Sequence, residues 1–390
     1  MMKIAHVITC LAAHGAETML VKLLERMDRR RFQPEVFSLT GDGPLSRTIE
    51  GMGIAVHRCG MRTGPSAAAG AVRLVAGLRR FHPDLIQGWM YHGNLAAQFA
   101  GLLASPRVPV LWNIRGCHHV LSEEKLSTAA TIRLSAKVSH WPALILNNSA
   151  ASARLHEQHL GFAADRWEVV PNGFDLDRFV PSEAARVDVR RELGLAADDL
   201  LVGLFGRYDR VKDHMSFLKA AARVREQNSL AEFVLAGEGV DDHNRDLTQQ
   251  VRAMGIKHRV HLLGERTDMP RLLSAMDLVA SSSTSEGFPN VIGEAMSCGV
   301  PCVVTDVGDS AWLLGEAGLA VPPRDPEALA AACIDMLQRG TGALRSLGLA
   351  GRERIARLFS IAAVASRYEE ICERTVAAAA GGKERLQCAV

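Results

Sequence analysis

Apolar residues along this chain fall into short runs separated by longer stretches in which they recur at helical spacing. Residues 3–9 form a first strand-like run. A loop carrying His14 and Gly15 follows, and then an amphipathic pattern predicts a helix to about Met27. Further strand-like runs lie at 33–39, 54–57, 85–87, 110–113 and 143–147, with helical stretches such as 67–81 and 94–104 between them. The same grammar restarts at 200–205 and continues through runs at 232–239, 260–264, 278–281, 300–305 and 318–323. Helical patterns over 326–338, 344–359 and 361–378 close the chain, and residues 381–390 read as a frayed tail. Regular strand/helix alternation with short loops predicts an α/β protein whose parallel sheets are covered on both faces.

Residues 281–305 concentrate the candidate chemistry. A strand ends near Ser281, and the turn-forming Glu286-Gly287-Phe288-Pro289 leads into a helix over 290–298 that stops at Gly299. A helix N-terminus offers amides without intrahelical partners, and its dipole favours phosphate or sugar oxygens. Glu286 in the loop and Glu294 in the helix frame the unit; on pattern alone they are also readable as solvated carboxylates.

Glu286 and Glu294, with seven residues between them in SEGFPNVIGEAMSCGVPCV, resemble the E-x7-E signature of family-4 retaining glycosyltransferases. The likeness runs from Gly15 to the last helix and is strongest over 200–323. It implies a glycosyltransferase-B architecture, two Rossmann-like doubly wound domains facing a central cleft. The expected divisions are an acceptor-binding domain at 1–178, a nucleotide-sugar domain at 179–360, and a helix from 361 that crosses back to the first domain. Arg207 and Lys212, in Gly206-Arg207-x4-Lys212, resemble the pair of cations that grip the donor diphosphate. Glu286, with the amides around Gly287, Phe288 and Asn290, is expected to hold the donor sugar, and Glu294 the ribose hydroxyls.

The first half supplies weaker candidates. Gly15 matches the second glycine of the family's Gly-Gly-Ala-Glu loop and is expected near the diphosphate, while His14 replaces the first glycine. Asp213 likewise stands where glycine usually follows the lysine. Arg115 is suited to fork onto an anionic group, and His118, or its neighbour His119, is the candidate for contacting sugar hydroxyls during catalysis. Pro171-Asn172-Gly173 resembles the segment that ends the first domain, with 179–181 closing it.

Composition narrows the setting. A chain of 390 residues with 48% hydrophobic and 23% charged residues is long enough for two globular domains. Residues 1–178 hold 20 Lys and Arg against 14 Asp and Glu, whereas the remainder holds 25 against 29. That asymmetry suggests an anionic partner for the first half, such as a membrane surface met by the 122–140 helix, with Ser122 as its cap and Lys125, Arg133 and Lys137 facing outward. No nucleic-acid motif is present. The eight cysteines form no C-x2-C pair and read as reduced thiols of a cytoplasmic protein, peripheral on the inner face of the membrane at most. No apolar run reaches bilayer length, and the N-terminus reads as a strand rather than a signal peptide.

The expected function is transfer of a sugar from a nucleotide-sugar, a UDP-sugar by preference, to a glycan or lipid-linked acceptor, with no metal or other cofactor. Rival readings are a nucleotide-sugar epimerase of the same fold, a glycosidase, and a nucleotide-sugar-binding protein without transfer activity. A glycosidase has no use for Arg207 and Lys212.

Overall fold

The computed structural model describes residues 1–61, 64–104, 108–116, 121, 125–196 and 198–387. The chain forms two compact units. One comprises Met1–Gly173 together with the chain from Ile361 onward, and the other Phe174–Ser360.

The first unit alternates β1 (Met2–Ile8), α1 (Gly15–Arg26), β2 (Phe32–Ser38), α2 (Ser46–Gly51), β3 (Val56–Arg58), α3 (Pro65–Phe81), β4 (Leu85–Trp89), α4 (Met90–Ala104), β5 (Val110–Ile114), α5 (Leu126–Lys137), β6 (Leu144–Asn147), α6 (Ala150–Leu160) and β7 (Trp167–Val169). Its strands pair in parallel in the order β3-β2-β1-β4-β5-β6-β7. Inward residues of β1, such as Ile4 and Ile8, pack with α1, α2 and a helix from the chain's end on one face. Ala5 and Val7 point to the opposite face, where α3, α4 and α5 lie. Period-2 alternation within a strand buried on both faces accounts for the near-continuous apolar run read from sequence.

The second unit holds α7 (Glu183–Glu192), β8 (Leu200–Phe205), α8 (His214–Gln227), β9 (Ala231–Ala236), α9 (Arg245–Ala253), β10 (Val260–Leu262), α10 (Met269–Ala275), β11 (Leu278–Ser281), α11 (Asn290–Ser297), β12 (Cys302–Thr305), α12 (Ser310–Leu314), β13 (Gly318–Val321), α13 (Pro326–Gln338) and α14 (Gly340–Leu358). The parallel sheet order is β10-β9-β8-β11-β12-β13. In each sheet the winding reverses once, between β1 and β4 and between β8 and β11. Loops leaving the carboxyl ends of strands diverge at such a point, and ligands of open α/β sheets bind there.

Several boundaries differ from those expected. Residues 174–178 belong to the second unit, not the first. Phe174 and Phe179 are buried in its core, and the Phe174 N–H donates to the Phe359 carbonyl at 2.8 Å. A Cβ on Gly293 would fall 2.0 Å from Phe174 Cζ, so glycine in α11 is what lets that ring seat against the helix. The helix expected over 122–140 is Leu126–Lys137, with no side-chain cap at Lys125; Ser122, Glu123 and Glu124 lie outside the described residues. The last helix, α15 (Ile361–Gln387), continues past the Gly381-Gly382 pair expected to end it. Each glycine costs about 1 kcal/mol, and the residues that follow, Lys383 to Gln387, are all good helix formers.

Candidate active site

The second sheet's switch point brings together residues from two distant stretches. β8 ends at Phe205 and β11 at Ser281, neighbouring parallel strands, so the loops that follow them leave side by side. Lys212 comes from the first loop and Glu286 from the second. Lys212 Nζ donates to Glu286 Oε1 at 2.5 Å, and Ser283 Oγ donates to the same oxygen at 2.8 Å. The lysine side chain is 26% exposed and the glutamate 14%. A half-buried charge pair with a second donor is a satisfied, geometrically fixed arrangement rather than two solvated ions.

The backbone around the pair is braced. Ser282 Oγ donates to the Lys212 carbonyl at 2.8 Å, and the Thr284 N–H donates to the Val211 carbonyl at 2.7 Å, tying the two loops together. Thr305 Oγ1, at the end of β12, donates to the Ser283 carbonyl at 2.6 Å. The Asp309 N–H donates to the Gly287 carbonyl at 3.0 Å. Gly308 has φ +59°, and a Cβ there would fall 2.2 Å from the Glu286 carbonyl oxygen, so the backbone passes too close for any other residue. Ser282, Ser283, Thr305 and Gly308 carried no role in the sequence reading. The one available signal was the Ser-rich run that directly follows β11.

Asp213 adopts φ 46° and ψ 57°, the left-handed region in which glycine is favoured. Its carboxylate accepts from the Ser216 N–H at 3.2 Å and from Ser216 Oγ at 2.7 Å, capping α8. An aspartate therefore occupies the position by exchanging conformational ease for a helix cap. The next residue, His214, is buried, and loss of hydration, reinforced by nearby Lys212, lowers its ring pKa to about 4.

Arg207 does not join the Lys212–Glu286 pair in this structure. Its side chain is 62% exposed and its Nε lies 3.3 Å from Asp209 Oδ2. Phe288 is buried beside Phe174, Phe359 and Trp312, which fixes the turn entering α11. Asn290 opens α11 and Glu294 lies one turn further along it. Among the described residues no group of three or more His, Cys, Asp or Glu is placed to hold a metal ion.

In the first unit, Gly15 is exposed and begins α1 directly after His14, whose carbonyl accepts from the Thr18 N–H at 2.9 Å. Arg115 is held rather than open. Its guanidinium donates to Asn172 and to the Tyr368 hydroxyl of α15, and lies 5.7 Å from the centroids of the Trp89 and Tyr368 rings. His118 and His119 lie outside the described residues.

Each unit is a doubly wound parallel sheet of Rossmann-like type, and the second carries a lysine–carboxylate pair at its switch point. The chain belongs to the family-4 glycosyltransferases: residues 13–178 match the model described as Glycosyltransferase Family 4, and residues 199–339 match Glycosyl transferases group 1. A D-inositol 3-phosphate glycosyltransferase of Corynebacterium urealyticum is 30% identical over 332 residues, covering 79% of this chain and 76% of that enzyme. The UDP-Gal:alpha-D-GlcNAc-diphosphoundecaprenol alpha-1,3-galactosyltransferase of Escherichia coli is 34% identical over 150 residues, 37% of this chain and 38% of the other. Among solved structures, Anabaena HepE in complex with UDP superposes with a TM-score of 0.82 at 25% identity, covering 96% of this chain and all of the other, and it is also solved with UDP-glucose. The two domains are thus those of a glycosyltransferase-B fold, and both named relatives are glycosyltransferases.

Proposed function

We propose that this glycosyltransferase takes a UDP-sugar and transfers its sugar, with retention of anomeric configuration and without a metal, to a glycan or lipid-linked glycan acceptor in cell-surface polysaccharide synthesis. The observation that carries the reading is the Lys212–Glu286 pair at the switch point of the second sheet. An ionised carboxylate accepts hydrogen bonds only, which suits the hydroxyls of a donor sugar. An ammonium beside it suits the diphosphate, whose charge grows as the glycosidic bond breaks. Arg207, on the same loop, is the second cation assigned to the diphosphate. The amides of Gly287 and Phe288 complete the sugar site, Asn290 opens the helix beside it, and Glu294 takes the ribose hydroxyls. Gly15 is assigned to the diphosphate and His118 to the sugar hydroxyls.

Support for the donor comes from HepE, solved with UDP and UDP-glucose. Support for a lipid-linked acceptor comes from the name of the Escherichia coli galactosyltransferase. Retention follows the general habit of family 4. Metal independence rests on the cations Lys212 and Arg207, which supply the charge that a divalent ion supplies elsewhere. Attachment to the inner face of the membrane is assigned to the basic first half. Among the described residues no helix is long and apolar enough to cross a bilayer.

The test is incubation with UDP-glucose, UDP-galactose and UDP-N-acetylglucosamine, each with a polyprenyl-diphosphate-linked sugar acceptor and excess chelator. Product is followed by UDP release, and its anomeric proton by NMR. Transfer with an α-linked product from the α-linked donor is expected. A β-linked product contradicts retention, and activity restored only by magnesium or manganese contradicts metal independence.

A further inference from the structure

The layer formed by α3, α4 and α5 over one face of the first sheet has an unusual outer surface. These three helices contain no aspartate or glutamate at all. Their charged residues are Arg73, Arg79, Arg80, Arg133 and Lys137, and α4 carries none. Asp84, just beyond the end of α3, is engaged by the Lys3 N–H at 2.8 Å.

Large apolar side chains are exposed on the same layer. Leu103 is 64% and Leu126 90% exposed, with Phe99, Leu102, Leu134 and Trp141 each more than one-third so. They belong to one surface rather than to scattered positions. The Phe99 and Trp141 rings meet edge-on at 5.7 Å, joining α4 to the segment that follows α5. Arg79 Nη2 donates to the Leu103 carbonyl at 2.8 Å, joining the end of α3 to the end of α4. On α5, Leu126, Ala130, Arg133, Leu134 and Lys137 are all exposed and recur at helical spacing, so leucines and cations share one stripe.

We propose that this α3–α4–α5 surface is the membrane-docking face, seated on an anionic lipid bilayer with Phe99, Leu102, Leu103, Leu134 and Trp141 in the interfacial region. The inference rests on the membrane attachment proposed above and assigns it to a site. Interleaved cations and apolar groups decide between occupants. A protein interface concentrates its apolar residues centrally and is depleted of lysine there. A bilayer interface accepts tryptophan, leucine and basic side chains at adjacent depths, with the cations among the headgroups and the leucines below. The lack of any carboxylate on the three helices fits a surface of negative lipids, where each one would be repelled.

The experiment is vesicle cosedimentation of the full chain with phosphatidylcholine alone and with phosphatidylcholine mixed with phosphatidylglycerol, at low and high salt. Two double variants are compared, Leu103→Glu with Leu134→Glu and Arg133→Glu with Lys137→Glu, each checked by circular dichroism. The wild type is expected to bind the anionic vesicles, to be released by salt, and to leave neutral vesicles unbound. Each double variant should bind the anionic vesicles roughly tenfold more weakly or worse. Should the leucine pair fail to fold, the charge-reversal pair carries the test, because both its residues are exposed. A wild type that ignores anionic vesicles removes membrane attachment altogether. A wild type that binds while folded variants bind equally well overturns this surface and leaves attachment elsewhere. Variants that turn a dimer into a monomer in sedimentation velocity, with vesicle binding intact, make the face a contact between two copies and also overturn it. None of these readouts involves donor or acceptor, so transferase activity stands or falls separately.

Discussion

Lys212 and Glu286 share a 2.5 Å hydrogen bond although 74 residues separate them in the chain. Their contact follows from one feature of the fold, the adjacency of β8 and β11 at the point where the second sheet reverses its winding. The cation expected to serve the diphosphate and the carboxylate expected to serve the sugar thus neutralise each other. Pairing holds both side chains in one rotamer, so less ordering remains to be done on binding. It also means that neither can be removed without leaving the other's charge half-buried and uncompensated.

The backbone behind that pair should be as sensitive as the pair itself. Gly308→Ala places a Cβ 2.2 Å from the Glu286 carbonyl at a φ of +59°. The loop carrying Glu286 must shift, and displacement of about 1 Å at a reacting group can cost a hundredfold in rate. The expected result is a kcat reduced tenfold or more, roughly, in a protein whose circular dichroism is unchanged. Steady-state kinetics of the variant checks this, and a wild-type kcat would show that the contact does not position Glu286.

Asp213 should rank its replacements by mechanism. Asp213→Gly keeps the left-handed conformation and loses the cap, which costs only a few tenths of a kcal/mol, roughly. Asp213→Ala loses the cap and also strains the backbone, so about 1–3 kcal/mol is expected. Urea midpoints of the two variants test the order. Alanine equal to or better than glycine would mean that conformation is not what constrains this position.

Stability should fall on acidification through two buried histidines, one in each unit. Burial holds His6 and His214 to ring pKa values of about 4, below the usual value near 6.5. Trp89 Nε1 donates to His6 Nδ1 at 3.3 Å, a bond that needs the neutral ring. Above pH 6.5 both states are neutral and nothing is lost. As pH drops from 6.5 towards 4 the unfolded chain takes up protons first, so each histidine removes on the order of 3 kcal/mol. Denaturation at pH 7 and 4.5 checks the loss, which His6→Gln and His214→Gln should each reduce. A stability independent of pH across that range would contradict it.

Much of the fold was legible because its signals are local. β8, β11 and α13 fall at their expected limits, each an apolar run or helical pattern bounded by strong punctuation. The misplaced boundary at 174–178 shows the opposite case. Nothing in a Phe-rich turn says which of two sheets will bury it, since the space that Gly293 leaves for the Phe174 ring is a tertiary feature. α15 overran its expected end, and good helix formers follow Gly381-Gly382. In the site, Glu286 and Lys212 stood out by resemblance, yet their contact depends on strand order, which periodicity does not encode. Ser283 and Thr305 were invisible for the same reason, since a hydroxyl gains a role only from what lies across the sheet. Arg207, read as Lys212's equal, turns to Asp209, a neighbour two residues away that the motif does not mention.

The account rests most heavily on Lys212 acting on the leaving diphosphate. Steady-state kinetics of Lys212→Ala with UDP-sugar and acceptor, set against Glu294→Ala, tests it most directly. Charge on the diphosphate grows towards the transition state, so Lys212→Ala should lower kcat by about a hundredfold to a thousandfold, with a smaller change in donor KM. The ribose hydroxyls do not change during transfer, so Glu294→Ala should raise donor KM and leave kcat near wild type. A Lys212→Ala enzyme with near-normal kcat and only a raised KM would make the lysine a simple binding residue and contradict the mechanism.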